Sequence, residues 1–157
     1  MSENKFMKKL KGPGKKVLIG IAVIAIVIIV AALALGRLSG DKAVDFKVLS
    51  DADIPQDMVS QVIPEYRDLE RALACMVNDK VYVLVSRGEK PTSGFDVSID
   101  KMVLEEKDGV VNLAVYANFT DPEPGVALTQ ILTYPLKVAE TGLTTLPDQI
   151  ELRVQYK

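Results

Sequence analysis

Between Val17 and Gly36 the chain runs for 20 residues without a charged or strongly polar side chain. The stretch holds 13 Val, Leu or Ile, five Ala and two Gly. At ~1.5 Å per residue a helix of that length reaches about 30 Å, the thickness of a bilayer's hydrocarbon core. The many β-branched side chains would handicap such a helix in water. In lipid every backbone group must be bonded within the segment, which leaves helix as the only solution. At roughly −0.3 to −0.6 kcal/mol per branched aliphatic, the 13 side chains favour insertion by about 4 to 8 kcal/mol. Residues 17–36 are therefore expected to form one N-terminal transmembrane helix.

The flanks set its direction. Lys5, Lys8, Lys9, Lys11, Lys15 and Lys16 precede the stretch against one acid, Glu3, whereas Arg37 and Lys42 beyond it mix with Asp41 and Asp45. The lysine excess keeps residues 1–16 in the cytoplasm as a basic leader and sends the remainder out. Gly12-Pro13-Gly14 breaks any helix just before the membrane. A cleaved signal peptide is the competing reading, because Ala32-Leu33-Ala34 has the small-x-small form of a cleavage site. The apolar run exceeds a usual signal core and lacks a polar region before that site, which favours an uncleaved anchor. The expected location is the cell membrane, single-pass, with the N-terminus cytoplasmic and the C-terminal domain extracytoplasmic.

The exported part, Leu38 to Lys157, carries 12 Lys+Arg against 20 Asp+Glu, a net −8. Such a surface keeps a domain soluble and disfavours nucleic acid as a partner. The chain has no His, which removes Ser-His-Asp and Cys-His nucleophiles and His-ligated zinc together. Its one Cys excludes an internal disulfide framework. Cys75 sits among Leu73, Ala74 and Met76 and reads as a small apolar residue of the interior.

Organisation changes along the exported part. Residues 37–79 read as a linker and an amphipathic helical segment. Asp45–Leu49 is a short extended stretch, and Asp51, Asp53, Pro55 and Asp57 mark a turn. Ile63, Tyr66, Leu69, Leu73 and Met76 then recur at helical spacing, with Pro64 suited to a first turn and Asn78-Asp79 closing the helix. From Lys80 onward the pattern is β. Lys80–Ser86 is β-branched and aromatic; Phe95–Ile99 alternates and continues after a kink as Met102–Glu106; Lys107-Asp108-Gly109 is a hairpin turn. Val110–Phe119 returns, Val126–Val138 follows with Pro135 at a bulge or edge, and Ile150–Tyr156 closes. The expected fold is mainly β: a small antiparallel β-sandwich or barrel-like domain over 80–157, preceded by a short amphipathic helix and the N-terminal transmembrane helix.

Candidate chemistry is sparse. Ser98-Ile99-Asp100-Lys101 matches S-x-x-K, but that motif needs its serine at a helix start, and here it lies in a strand pattern. Asp51, Asp53 and Asp57 lack the glycine and distal acid of an EF-hand loop. Glu105 and Glu106 are adjacent in a strand and face opposite ways. Asn118-Phe119-Thr120 is a glycosylation sequon by form. No catalytic residue, cofactor or metal site is expected, and no small-molecule substrate is implied.

The remaining feature is the loop Gly88-Glu89-Lys90-Pro91-Thr92-Ser93-Gly94-Phe95. Pro91 stiffens it, Gly94 permits a positive φ, and Phe95 packs inward or is offered outward. With Leu128-Thr129-Gln130 and Thr133-Tyr134-Pro135, this loop resembles the C-terminal domain of the PrcB family, named for a protease-complex subunit of bacterial surface proteases. The similarity runs over about Val81 to Val138. It implies a small non-catalytic β domain that accompanies a protease at the cell surface. A fainter similarity, in Pro91-Thr92-Ser93-Gly94-Phe95, is to chagasin-type inhibitors of cysteine proteases, with Lys90 where that family has Asn. The expected partner is thus an exported or surface protease, held through Lys90, Pro91, Thr92, Ser93, Gly94 and Phe95 together with Tyr134 and Pro135. The alternatives are a protease inhibitor acting through the same loop and a purely structural envelope protein.

Overall fold

The computed structural model describes residues 40–157. The basic leader and the expected transmembrane helix lie outside the described residues. Among the described residues no helix is long and apolar enough to cross a membrane.

Eight strands form two four-stranded sheets. The first sheet has the order β1 (Lys42–Ala43), β5 (Asp96–Lys107), β6 (Val110–Thr120), β8 (Gln149–Tyr156). The second has the order β2 (Phe46–Val48), β7 (Leu136–Thr141), β4 (Lys80–Arg87), β3 (Glu70–Val77). Their inner faces pack together as a sandwich: Val83, Val85 and Ala139 from one sheet meet Val97, Met102, Leu113, Val115 and Phe119 from the other. All pairings are antiparallel except β6 with β8, which run parallel and correct the expectation of a purely antiparallel domain. The physical reason is the connection: after β7 the chain leaves one sheet, crosses to the other, and reaches β6 from the far end.

β5 shows how the sequence builds its own geometry. Ile99 faces Ala117 and Lys101 faces Tyr116, so Asp100 is an extra, unpaired residue. That bulge switches the inward set from Val97 and Ile99 to Met102 and Leu104. The kink in the apolar pattern is therefore a bulge, and both halves of the strand feed one core.

β4 is buried on both faces. Val83 and Val85 point into the sandwich, while Tyr82 and Leu84 point outward into a second cluster beneath the helical segment. A helical run over 56–66 supplies the cover: its middle, Met58–Val62, is π-wound, and α1 (Ile63–Tyr66) completes it. Met58 is wholly buried under it. Pro64 has no N–H for the Ser60 carbonyl four residues back and its ring crowds that oxygen, so the widened turn accommodates it. Burying each large aliphatic here contributes about 1.5–3 kcal/mol.

Three expectations are corrected. The helix does not continue to Met76, for it ends at Tyr66 and residues Glu70–Val77 form β3. β3 is covered on both faces, Ala72 and Ala74 toward the sandwich and Leu73, Cys75 and Val77 toward the helical run, so it shows no alternation to betray it. Asn78-Asp79 is not a helix end but the two-residue turn of the β3–β4 hairpin, with both φ values positive at 50° and 61°. Likewise Val126–Val138 is not one strand. β7 begins only at Leu136, and the chain before it is a long loop.

Candidate functional site

The loop that follows β4 is tied down residue by residue. Gly88 has φ +76°, and a Cβ there would lie 3.1 Å from the Asp68 carbonyl oxygen and 3.2 Å from the Glu70 nitrogen. Only glycine lets the backbones pass so closely. Lys90 and Thr133 then form a two-bond antiparallel bridge, with N···O distances of 2.9 Å in both directions. Thr133 Oγ1 donates to the Thr92 carbonyl at 2.8 Å, the Ser93 amide donates to the Thr129 carbonyl at 3.0 Å, and the Thr129 amide donates to Ser93 Oγ at 2.9 Å. Gly94, at φ +94°, lies where a Cβ would come within 2.8 Å of Pro122 Cβ. The two loops, 88–95 and 121–135, are thus laced together by backbone and short side chains.

Their aromatic residues are held by arginines. The Tyr134 ring lies 4.2 Å beneath the Arg67 guanidinium, and its hydroxyl donates to Glu89 Oε2 at 3.0 Å. That hydrogen bond, with burial second, raises the Tyr134 phenol above its ordinary range. Phe95 is half-buried against the Arg87 guanidinium, 4.8 Å from its ring centre. Arg87 is 3% exposed. It donates to the Thr120 carbonyl at 2.5 Å and pairs with Asp121, while its own amide donates to the Pro135 carbonyl at 2.9 Å. One buried cation therefore joins the ends of β4 and β6, the base of the long loop, and Phe95.

All eight residues expected from the sequence, Lys90 to Phe95 with Tyr134 and Pro135, lie in this one assembly. Pro91 and Gly94 are exposed and the other six are half-buried. Sequence reasoning missed Arg67 and Arg87 and gave Glu89 of the loop no role; these three hold the aromatics. The available signal was Arg87, a charge closing a strand whose middle, Val81 to Val85, is apolar. It also missed Val126, Ile131 and Leu132, three apolar side chains 54%, 54% and 60% exposed on the long loop. Loops of this length in a compact domain are usually either functional or disordered linkers, and this one is tied down by hydrogen bonds.

Beside the laced loops lies an open groove of about 460 Å³. Ile54, Val59 and Ile63 of the helical side face Phe95, Tyr134, Pro135 and Leu136 across it, and Asp51, Asp96 and Lys137 stand on its rim. A wider depression, about 610 Å³, lies on the outer face of the first sheet and is polar. There Arg153 is bonded to Glu105, Glu151 and the Tyr116 hydroxyl, and these bonds lower both glutamates below the usual carboxylate range.

The residues set aside for catalysis fall elsewhere. Ser98 and Lys101 are exposed positions of strand β5, and Lys101 sits 4.4 Å over the Tyr116 ring instead of reaching a nucleophile. Asp53 accepts a hydrogen bond from Ser50 Oγ at 2.7 Å within a 3-10 turn. Among the described residues no group of three His, Cys, Asp or Glu is placed to hold a metal ion. Burial raises the Cys75 thiol pKa, which disfavours its reactive thiolate.

No curated protein and no solved structure matches the chain. A family model does: the one described as PrcB C-terminal matches residues 81–141, the stretch from β4 through β7 that contains both laced loops and Arg87. Over residues 81–141, then, the chain carries the PrcB C-terminal family's pattern.

Proposed function

We propose that this chain is a non-catalytic, membrane-anchored interaction module that accompanies an exported or cell-surface protease as an accessory subunit. The observation that carries the reading is the match to PrcB C-terminal over the stretch whose two loops the fold laces into one rigid platform. On that platform Val126, Ile131 and Leu132 are offered to solvent, and apolar side chains on a stiff support are what a protein partner buries. The anchor rests on the apolar run 17–36 and its lysine-rich flank.

The test is in-cell crosslinking of the full-length chain, with captured proteins identified by mass spectrometry. A parallel sample carries Ile131→Ser with Leu132→Ser, exposed positions whose change leaves the core intact. Wild type is expected to enrich one exported protease and the double variant to lose it. Equal capture by both would overturn the reading. Adding the purified chain to the captured protease then separates roles: activity preserved or prolonged marks an accessory subunit, and stoichiometric loss of activity marks the inhibitor alternative.

A further inference from the structure

The groove has a second property besides its mixed lining of apolar side chains and charged rim: an open sheet edge runs into it. β2 covers β7 only from Val138 to Thr141, through the pairs Phe46–Thr141, Lys47–Glu140 and Val48–Ala139 and the bond from the Leu49 amide to the Val138 carbonyl. The chain then leaves the edge at the 3-10 turn Asp51–Asp53. Leu136 stands two residues before Val138, so its N–H and C=O point to the same side, where no strand follows among the described residues. On its other side β7 is paired with β4 up to Leu136. The vacant place beside Leu136 is the one that β2 would have occupied had it been longer.

Above that place stand the half-exposed side chains of Ile54 and Ile63, with Val59 40% exposed at the π-wound turn. At the rim, Asp51 and Asp96 have no cationic partner among the described residues, against the single cation Lys137. Backbone pairing and a pocket for side chains are the elements by which a sheet edge binds an extended peptide, and the acidic rim selects its charge.

We propose that the groove takes an extended segment of a partner protein, paired at Leu136 as an added strand, with an aliphatic or aromatic side chain between Val59, Ile63 and Phe95 and a flanking Lys or Arg at Asp51 and Asp96. This rests on the reading of the chain as a protein-interaction module and says where and by what chemistry it binds. An acidic ligand would meet two carboxylates and is disfavoured.

The test uses the full chain in detergent micelles and three immobilised heptapeptides: a central leucine flanked by lysines, the same core flanked by glutamates, and the lysine peptide N-methylated on alternate amides. The lysine peptide is expected to bind about tenfold tighter than the glutamate peptide, the effect of exchanging rim attraction for repulsion. N-methylation is expected to abolish binding, and Asp51→Lys with Asp96→Lys to reverse the charge preference. Both aspartates are exposed, and an unchanged melting curve confirms the fold. Equal binding of all three peptides, or no binding of any, overturns the groove proposal. Failure here with continued loss of the crosslinked protease by the Ile131, Leu132 variant removes the groove alone, whereas failure of both removes the interaction reading as well.

Discussion

The two ends of the sandwich solve the same problem in opposite ways. At one end the strands turn back through two residues, Asn78-Asp79 between β3 and β4 and Asp108-Gly109 between β5 and β6. All four have positive φ, and the turn chemistry is complete within those residues. At the other end β4 and β6 run into the loops 88–95 and 121–135, whose shape exists only because each is bonded to the other. Local turns are interchangeable, and their residues answer only to backbone conformation. Laced loops answer to a distant segment, which lets them present a fixed surface, and both lie within the stretch 81–141 that matches the family model.

Glycine substitutions give the sharpest contrast. Gly94 and Gly109 have similar φ values, +94° and +78°, but a Cβ at Gly94 meets Pro122 at 2.8 Å while nothing lies within 4 Å of Gly109. Gly94→Ala is expected to cost about 2–4 kcal/mol and Gly109→Ala about 1–2 kcal/mol in urea denaturation, because only the first adds overpacking to backbone strain. Equal costs would break the distinction between the ends.

Next comes Arg87→Met, which keeps much of the volume but removes the bonds to Thr120 and Asp121 and the stacking on Phe95. A loss of about 2–3 kcal/mol is expected, with faster amide exchange over the long loop and unchanged exchange in the two-residue turns. Uniform acceleration would show that the cation supports the whole core. Thr133→Val removes one hydrogen bond, to the Thr92 carbonyl, and should cost about 1 kcal/mol with loosening confined to 88–95 and 128–135.

The smallest effect lies in acid. Glu105 and Glu151 are lowered chiefly by hydrogen bonds from Arg153, and Glu140 by that from Lys80. A carboxyl lowered on folding stabilises the fold above its unfolded value, about 4.3 for glutamate, and that contribution disappears as the pH falls through the lowered values. Thermal stability should therefore fall below about pH 4. Arg153→Gln should lower stability slightly at neutral pH and flatten this acid limb. An unchanged limb would show that these exposed pairs contribute nothing measurable.

Much of the β scaffold was legible in the residues themselves. The hairpin at Asp108-Gly109, the kink that proved to be the Asp100 bulge, and the alternation of Ile150, Leu152 and Val154 in β8 are local signals that the fold obeys. β3 was not legible, because a strand covered on both faces carries apolar residues without alternation, and Leu69, Leu73 and Met76 fall by accident at helical spacing. The same weakness made Val126, Ile131 and Leu132 read as strand, when their apolar character serves an exposed loop. At the site, the sequence grouped Gly88–Phe95 with Thr133–Pro135 through a family resemblance. The bridge from Lys90 to Thr133, across 43 positions, became visible only in space.

What the amino-acid sequence by itself determined is whatever depends on neighbours along the chain: the apolar run 17–36, the acidic balance from Leu38 onward, the turn at Asp108-Gly109 and the absence of imidazole. Tertiary structure alone decided which apolar residues are covered and which edge is left open. The helical run over 56–66 buries Tyr82 and Leu84 and half covers Leu136, while β2 ends before it reaches the edge beside Leu136. Burial and strand pairing are properties of segments far apart in sequence, so the groove at Leu136 is written in no single stretch of residues.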